Sequence, residues 1–482
     1  MTNRSSMTLT PHPHHAVDDT IPQAPDSEEL QQLIAWRRVF HQYPEIRWTE
    51  FWTTAKIVNI LEEFGFETLY GRSLYQQIEQ QGMDPLDLRK TVPESEVMDQ
   101  AYSRAMERLG SEHVLSHMQG GLTGVVARIK GTAALELAKE EMADKKVEET
   151  GMADEGSEHT CRKKFGFRFD IDGLPIVESR ESDHHPFLEG FAATNGNMHA
   201  CGHDGHIVMG LGLAKRIAEH IDELSGEYWI IFQPGEEGGM GGQLFSHLPF
   251  LTELDHFITT HLGLIEERKL ICGLAFMDAN AYSVEFRGRS THSAVAPNQG
   301  RNALQAACTA VTNLYGIPRH GDGASRVNVG EFHSSNVMNI ISDKATFTFQ
   351  TRGENPIVAE HMDLSAKRIL ESAAQMFDVE VTIRPEGKYI SARNDDELRS
   401  AIMEVGQTLG IGQDAIIDVQ KLPGSEDAPY LMQKVQDGGG EAVFMGLGCG
   451  TRGGHHNPSF DFDEDLMYWG VAILWRLIQK SL

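Results

Sequence analysis

The chain has 482 residues, with 70 acidic against 42 basic side chains and a formal charge of −28. That length exceeds one ordinary hydrophobic core, and that charge repels phosphate backbones and anionic lipid faces, so neither nucleic acid nor a membrane is an expected partner. No apolar run approaches the roughly 20 residues of a spanning helix, and the N-terminus carries no signal-like apolar stretch. Five scattered cysteines make no disulfide framework, and a cytoplasmic location is expected.

Residues 1–25, with the cluster HPHH, read as a polar, proline-containing disordered tail. A helix is predicted from Asp26, where Asp26 and Glu29 have capping-box spacing and LQQLIAWRRVF supplies an apolar face. A second helix fits FWTTAKIVNILEEFG (51–65), ending at a glycine. Segments 72–118 and 131–163 are polar and charged; they read as solvated, partly helical insertions around a strand at GVVARI (124–129). The nearly continuous apolar strands FRFDI (167–171), YWIIFQ (228–233) and HFITTH (256–261), with a helix at IVMGLGLAKRIAEHI (207–221), argue an α/β sheet that is mainly parallel. From about Ala279 the texture changes. YSVEFRG, RVNVGEF, ATFTFQTR and VEVTIR alternate apolar with polar residues, and helices are predicted over 301–316 and 358–377. This is a ferredoxin-like α+β pattern. The α/β texture returns after about Ser391, with a buried strand EAVFMGLG (441–448) and a final helix over 464–479. The predicted architecture is a mainly parallel α/β domain over 26–278 and 392–482, interrupted by an α+β domain over 279–391.

Polar residues cluster where the strands end, which is where open α/β sheets bind ligands. In FRFDIDGLP, Asp170 and Asp172 point the same way, and two close carboxylates repel unless a cation intervenes. Asp170 reads equally as a turn residue capping the DGLP bend. HACGHDGH (199–206) has three readings: a metal site, a reactive thiol, or a histidine-rich loop. Cys201 and His203, just ahead of a helix starting near Gly205, can reach one cation, and a thiolate can bridge two. Asp204 and His206 suit support of those ligands or of the helix N-terminus. In FQPGEEGGMGG the side chains of Glu236 and Glu237 diverge, so one can bind metal while the other acts as base. His261 closes a buried strand. His455 and His456 precede the final helix, whose N-cap falls near Asp463 and Glu464. The donors Cys201, His203, Glu237, His261 and His456 could together serve two divalent ions.

With FHQYPE (40–45), QPGEE, THLG, THSAVAPNQGRNAL, NIISDKA and HHNPSFDFDE beside these stretches, the chain resembles the metallopeptidase family of aminoacylases and glutamate carboxypeptidases, peptidase family M20. Within it, the likeness is to amidohydrolases that cleave hippurate and indole-acyl amino acids. It runs from about residue 30 to the C-terminus, outside the two insertions. The resemblance implies a di-metal catalytic domain with the inserted unit as lid and dimerisation domain. It implies two Zn²⁺ or Mn²⁺ ions per subunit, with Cys201 bridging and His203, Glu237, His261 and His456 as further ligands. Glu236 would be general base and proton donor, and Asp172 would orient a ligand. His292 would reach a partner's site to stabilise the oxyanion. Asn339 and Arg352 would hold the substrate carboxylate. The assembly implied is a homodimer or a heterodimer with a related sister subunit.

The resemblance is carried further by HHPFLEGFAATNGNMHACGHDGH, GASRVNVGEF and LPGSEDAPYLM, and what it then implies as substrate is p-aminobenzoyl-glutamate, cleaved to p-aminobenzoate and glutamate. One rival is hydrolysis of hippurate-like, indole-acyl or acetyl amino acids by the same residues. Another is a non-catalytic subunit that completes a partner's site, against which Glu236 and the full donor set argue. A third makes HACGHDGH a redox thiol site. Gly235 and Ser342 stand where the family often has Ala and Pro, which adds backbone freedom without removing a functional side chain.

Overall fold

Strand residues alternate between two apolar layers, and this alternation builds the larger of two sheets. The computed structural model describes residues 20–110, 112–133, 162–334 and 337–480. The eight-stranded sheet comprises β1 (Glu67–Tyr70), β2 (Val125–Lys130), β3 (Lys164–Asp170), β4 (Glu227–Gln233), β5 (His256–Leu262), β6 (Leu270–Ala275), β11 (Ile416–Lys421) and β12 (Glu441–Leu447). Its order is β1-β2-β4-β3-β5-β12-β6-β11. The central run β4-β3-β5-β12 is parallel, while β1, β2 and the β12–β6 contact are antiparallel. Phe167, Phe169, Ile230, Phe232 and Ile258 face one core layer, whereas Ile231, Phe257 and Phe444 face the other. Both faces are therefore covered, which is why these strands read as continuous apolar runs.

The smaller sheet comprises β7 (Asp278–Arg287), β8 (Ser325–His333), β9 (Lys344–Gly353) and β10 (Glu380–Tyr389), ordered β10-β7-β9-β8 and antiparallel throughout. Helices Ala303–Tyr315 and Pro356–Met376 cover one face; Val284, Phe286, Phe347 and Phe349 meet Ala306, Ala310, Met362 and Leu370 there. The connectivity is β-α-β-β-α-β, the ferredoxin-like pattern.

Three strands carried no signal strong enough to predict. β1 and β11 are short, half-exposed edges, and β6 contains Gly273. Segment 72–118 is helical, but it is not the solvated decoration expected. Leu74, Tyr75, Ile78, Ala101, Ala105, Leu115 and Met118 are buried in the two core layers. Its apolar residues are sparse yet fall at helical spacing, and most of its polar residues face outward.

Residues 1–19 of the expected tail, and 134–161 of the expected charged segment with Cys161, lie outside the described residues. Residues 20–25 are docked rather than disordered. Ile21 is buried and its N–H donates to Arg268 O at 2.7 Å, while Pro22 O accepts from Trp469 Nε1 at 2.9 Å. The first helix, Glu28–Gln42, is capped by Ser27 rather than Asp26: Ser27 Oγ accepts from Leu30 N at 3.1 Å. Among the described residues, no helix is long and apolar enough to cross a membrane.

Helix His203–Glu219 lies against β3 and β4 through Gly210. A Cβ there would sit 2.7 Å from the rings of both Phe169 and Phe232. Alanine is the better helix former, but neither buried ring has room to yield. Gly210→Ala should destabilise the protein by about 1–3 kcal/mol, read from denaturant unfolding. Unchanged or raised stability would show that this contact is not tight.

Candidate metal and catalytic site

The C-terminal ends of β3, β4, β5 and β12 bring Asp170 and Asp172, Glu236 and Glu237, His261, and the His455–His456 loop to one place. HACGHDGH arrives from the side. His203, not Gly205, is the first residue of its helix, following Gly202 at φ +88°.

Among the described residues, five overlapping sets of three donors fall here, two of which share Cys201. Cys201, His203 and His261 present ligand atoms all within 4.8 Å of one another, and so do Cys201, Glu237 and His456. Cys201 belongs to both. The hydrogen bonds decide which imidazole nitrogens are free. His203 Nδ1 donates to Asp172 O at 2.9 Å, leaving a buried Nε2 that makes no hydrogen bond. His261 Nδ1 donates to Leu262 O at 2.7 Å, leaving Nε2 3.8 Å from Cys201 Sγ. His456 Nε2 lies 3.1 Å from Glu237 Oε1. His206 is spent: its Nδ1 is 2.5 Å from Asp170 Oδ1 and its Nε2 accepts from Leu262 N at 2.8 Å. Asp204 is turned away and held by Arg37 and His41.

Asp172 organises the carboxylate pair. Its two oxygens accept from the backbone N–H groups of Glu236 (3.1 Å) and Glu237 (2.9 Å). This fixes a tight turn after Gly235, which has φ +64°. A Cβ on Gly235 would meet the Trp48 ring at 3.0–3.2 Å. The glycine is thus a requirement of the turn and of Trp48 packing, not merely added freedom. Ser342 is buried and bonds Ser334 Oγ at 2.8 Å.

The electrostatics are those of a crowded anionic pocket. Burial first, then Glu426, Glu237, Asp427 and Asp172, push Glu236 well above the usual carboxylate range. Burial, then Glu237 and Glu236, likewise push the Cys201 thiol up. Burial alone would lower His203, yet Asp170, Asp172 and Glu237 overcome it and raise His203 to about 10. Beyond burial, each shift carries the pull of the neighbouring carboxylates. Arg168 is the built-in counterion, fully buried, bonding Gln233 Oε1 (2.8 Å), Asp170 Oδ2 (2.8 Å), Asp427 Oδ1 (3.1 Å) and Glu426 Oε1 (3.2 Å). The donor set, in which His203 Nε2 makes no hydrogen bond, fits divalent ions that accept imidazole, thiolate and carboxylate.

A cavity of about 570 Å³ opens onto Cys201, Glu236, Glu237, His261, His455 and His456. The smaller sheet contributes Gln350, Arg352 and Tyr389 to its wall, and Leu264, Phe276 and Leu422 give it an apolar side. Arg352 is held by Pro423 O (2.7 Å) and Gln350 Oε1 (2.9 Å). His292 and Asn339 are not in this cavity. They are exposed at the far end of the smaller sheet, where His292 bridges Ile340 and Ser293 N donates to Asn339 O at 2.9 Å.

Several residues here escaped the sequence reading. Arg168 was visible as a charge inside an apolar strand, and Glu426 and Asp427 as an acidic pair before the helix Pro429–Asp437. His455 Nδ1 lies 3.4 Å from Cys201 Sγ while its Nε2 donates to Gly263 O at 2.6 Å. No spacing rule separates it from His456.

The chain belongs to a metallopeptidase family: residues 166–480 match the model of peptidase family M20/M25/M40, and it is a hydrolase of that family. It is 34% identical over 462 residues to a homolog, from Haemophilus influenzae, of one of the subunits of p-aminobenzoyl-glutamate hydrolase, covering 94% of this chain and 99% of that one. It is 32% identical to the indole-3-acetyl-aspartic acid hydrolase of Enterobacter agglomerans, covering 92% and 94%. Among solved structures, the aminobenzoyl-glutamate utilization protein of Klebsiella pneumoniae superposes with a TM-score of 0.67 at 27% identity, covering 94% and 97%. A dinuclear metal binding peptidase of the M20 family from Bacillus subtilis shares the fold, with a TM-score of 0.64 at 20% identity over 95% and 99% of the two chains.

Behind the donors, His41 is fully buried. Burial would lower its pKa, but hydrogen bonds to Asp204 and Glu178 raise it to about 9. A folded-state pKa above the unfolded value of about 6.5 gives stability that is complete below that value and is lost as pH rises through about 9. Wild-type protein should lose unfolding free energy across that window, and His41→Gln should flatten the slope. An unchanged slope in the variant would refute the assignment.

Proposed function

We propose that this chain hydrolyses the amide of p-aminobenzoyl-glutamate, giving p-aminobenzoate and glutamate, with two divalent ions, Zn²⁺ or Mn²⁺, at the donor sets. The observation that carries this reading is the pair of three-donor groups sharing Cys201, beside the buried carboxyl of Glu236. Cys201 would bridge. His203 and His261 would complete one site, Glu237 and His456 the other. Bound there, such ions supply Lewis acidity that lowers the pKa of water and polarises a carbonyl.

The chain's own residues carry the remaining steps. Glu236 takes a proton from the attacking water and returns it to the amide nitrogen. The water oxygen bonds the benzoyl carbon, the C–N bond breaks, and glutamate leaves as the amine. Asp172 keeps Glu236 aimed by holding two successive backbone N–H groups. Arg352 suits a substrate carboxylate because its fork matches one. Leu264, Phe276 and Leu422 offer an apolar surface for an aryl ring. Asn339 would assist with the carboxylate and His292 would supply an oxyanion donor, both in the site of a second chain. The relatives from Haemophilus influenzae and Escherichia coli are named for one lettered subunit of the hydrolase, which supports an assembly with a sister chain. A cytoplasmic setting accords with the thiol ligand. The 32% identity to an indole-3-acetyl-aspartic acid hydrolase favours a second reading, another acidic amino acid conjugate in the same cavity.

Glu236→Gln should lower turnover of p-aminobenzoyl-glutamate by roughly 10²–10⁴ while metal content by elemental analysis stays at the wild-type level. Hippurate and indole-3-acetyl-aspartate assayed alongside should be poorer substrates. Equal rates on the glycine conjugate would sink the specificity, and an active Glu236→Gln would make this chain a non-catalytic partner. Co-expressing His292→Ala with Glu236→Gln should restore activity that neither variant has alone. No restoration would mean that His292 serves its own chain's site or none.

A further inference from the structure

Helix Glu28–Gln42 lies outside the stretch matched by the family model. Its buried face carries Leu30, Leu33 and Phe40, and in line with them Arg37 and His41. Both polar side chains are completely enclosed. A charge at such a position is costly unless every part of it is paired.

The pairing is specific. Arg37 Nε donates to Asp204 Oδ2 at 3.0 Å, and Nη2 donates to Asp461 Oδ1 at 2.6 Å. Nη1 lies 3.4 Å from Glu464 Oε1, and the guanidinium carbon lies 3.9 Å from the Phe462 ring centroid. His41 Nδ1 donates to the same Asp204 oxygen at 2.9 Å, while its Nε2 donates to Glu178 Oε1 at 2.9 Å. Asp461 is fixed further by His185 Nδ1 at 3.0 Å.

The two carboxylates sit at significant points. Asp204 directly follows His203 in the first turn of helix His203–Glu219. Asp461 closes the loop that carries His455 and His456, where its backbone pairs with Arg452 in both directions (2.9 and 3.1 Å). One guanidinium therefore spans two chain segments, each bearing a donor of a different three-donor set. His456 itself is in a left-handed conformation, φ +59°, which costs energy and persists only where surroundings impose it.

We infer that Arg37, assisted by His41, is a positioning residue for the metal centre, tying the His203 helix to the His456 loop through Asp204 and Asp461. The inference rests on the reading of those histidines as ligands. A planar fork is required, because one ammonium on a flexible stem cannot hold two carboxylates at a fixed angle.

The test uses the full chain with Zn²⁺ as probe, its affinity read by competition with a chromophoric chelator, alongside kcat, KM and thermal unfolding. Arg37→Gln and Asp461→Ala should each bind Zn²⁺ about 10–100-fold more weakly, as loss of residues supporting ligands does elsewhere. Their kcat should fall with KM little changed, and Arg37→Lys should recover only part of the affinity. Should Arg37→Gln fail to fold, Asp461→Ala keeps Arg37 on Asp204 and still breaks the tie to the His456 loop. Wild-type Zn²⁺ affinity in a folded Asp461→Ala or Arg37→Gln overturns the inference while leaving the metal reading intact. A wild-type protein that takes up no Zn²⁺ ends both.

Discussion

The structure depends on reconciling a dense, buried negative charge with a hydrophobic interior. Asp170, Asp172, Glu236, Glu237, Glu426 and Asp427 converge where parallel strands end, mostly out of water. Carboxylates so placed must be paired, hydrogen-bonded or protonated. The fold pairs some of them and hydrogen-bonds others. Arg168 answers Asp170, Glu426 and Asp427 from beneath, and backbone N–H groups answer Asp172. Burial and the neighbouring carboxylates push Glu236 well above the usual carboxylate range. Cys201, Glu237, His261 and His456 line the cavity with His203 buried beside them, and that remainder is the set suited to a pair of cations.

This balance explains why the polar residues form layers. Innermost are the donors themselves. Around them, Asp172 and the carbonyls of Asp172 and Leu262 choose which imidazole nitrogen faces inward. Tautomer selection of this kind is what a metal site needs from its surroundings. Farther out, Arg37 and His41 anchor Asp204, and through Asp461 the His456 loop. Asp204 and His206 lie in the same helical turn as His203, yet each is already committed to a partner. Side-chain commitment, not residue type, distinguishes a donor from its neighbours in HACGHDGH.

The same distinction sets what could be read from sequence. Strands buried on both faces announce themselves as apolar runs, so β3, β4, β5 and β12 were legible, as was the alternating texture of β7 to β10. Edge strands β1 and β11 were not, because half-exposed residues carry no strict period. Cys201, His203, Glu236 and Glu237 stood out because reactive side chains beside apolar strands and glycines are anomalous. Arg37 and His41 were hidden in plain view. In sequence they extend an amphipathic helix, and only the fold shows that their side of it is the buried one. Glu426 and Asp427 resemble ordinary loop acids until the chain returns them to Arg168.

The placement of the smaller sheet constrains how substrate can be held. Arg352 lies at the end of β9 beside the cavity, paired in register with Ala279. His292 and Asn339 lie beyond the opposite end, past the pairing of Arg287 with Lys344. Eight strand residues at about 3.3 Å each put these ends roughly 25 Å apart. A substrate the size of an acyl amino acid cannot bridge that distance, and a packed four-stranded sheet cannot fold back on itself to shorten it. If Arg352 and His292 both touch one substrate molecule, they come from different chains, and the catalytic unit is larger than the polypeptide. Val295, Val337 and Met338 are exposed at that same far end.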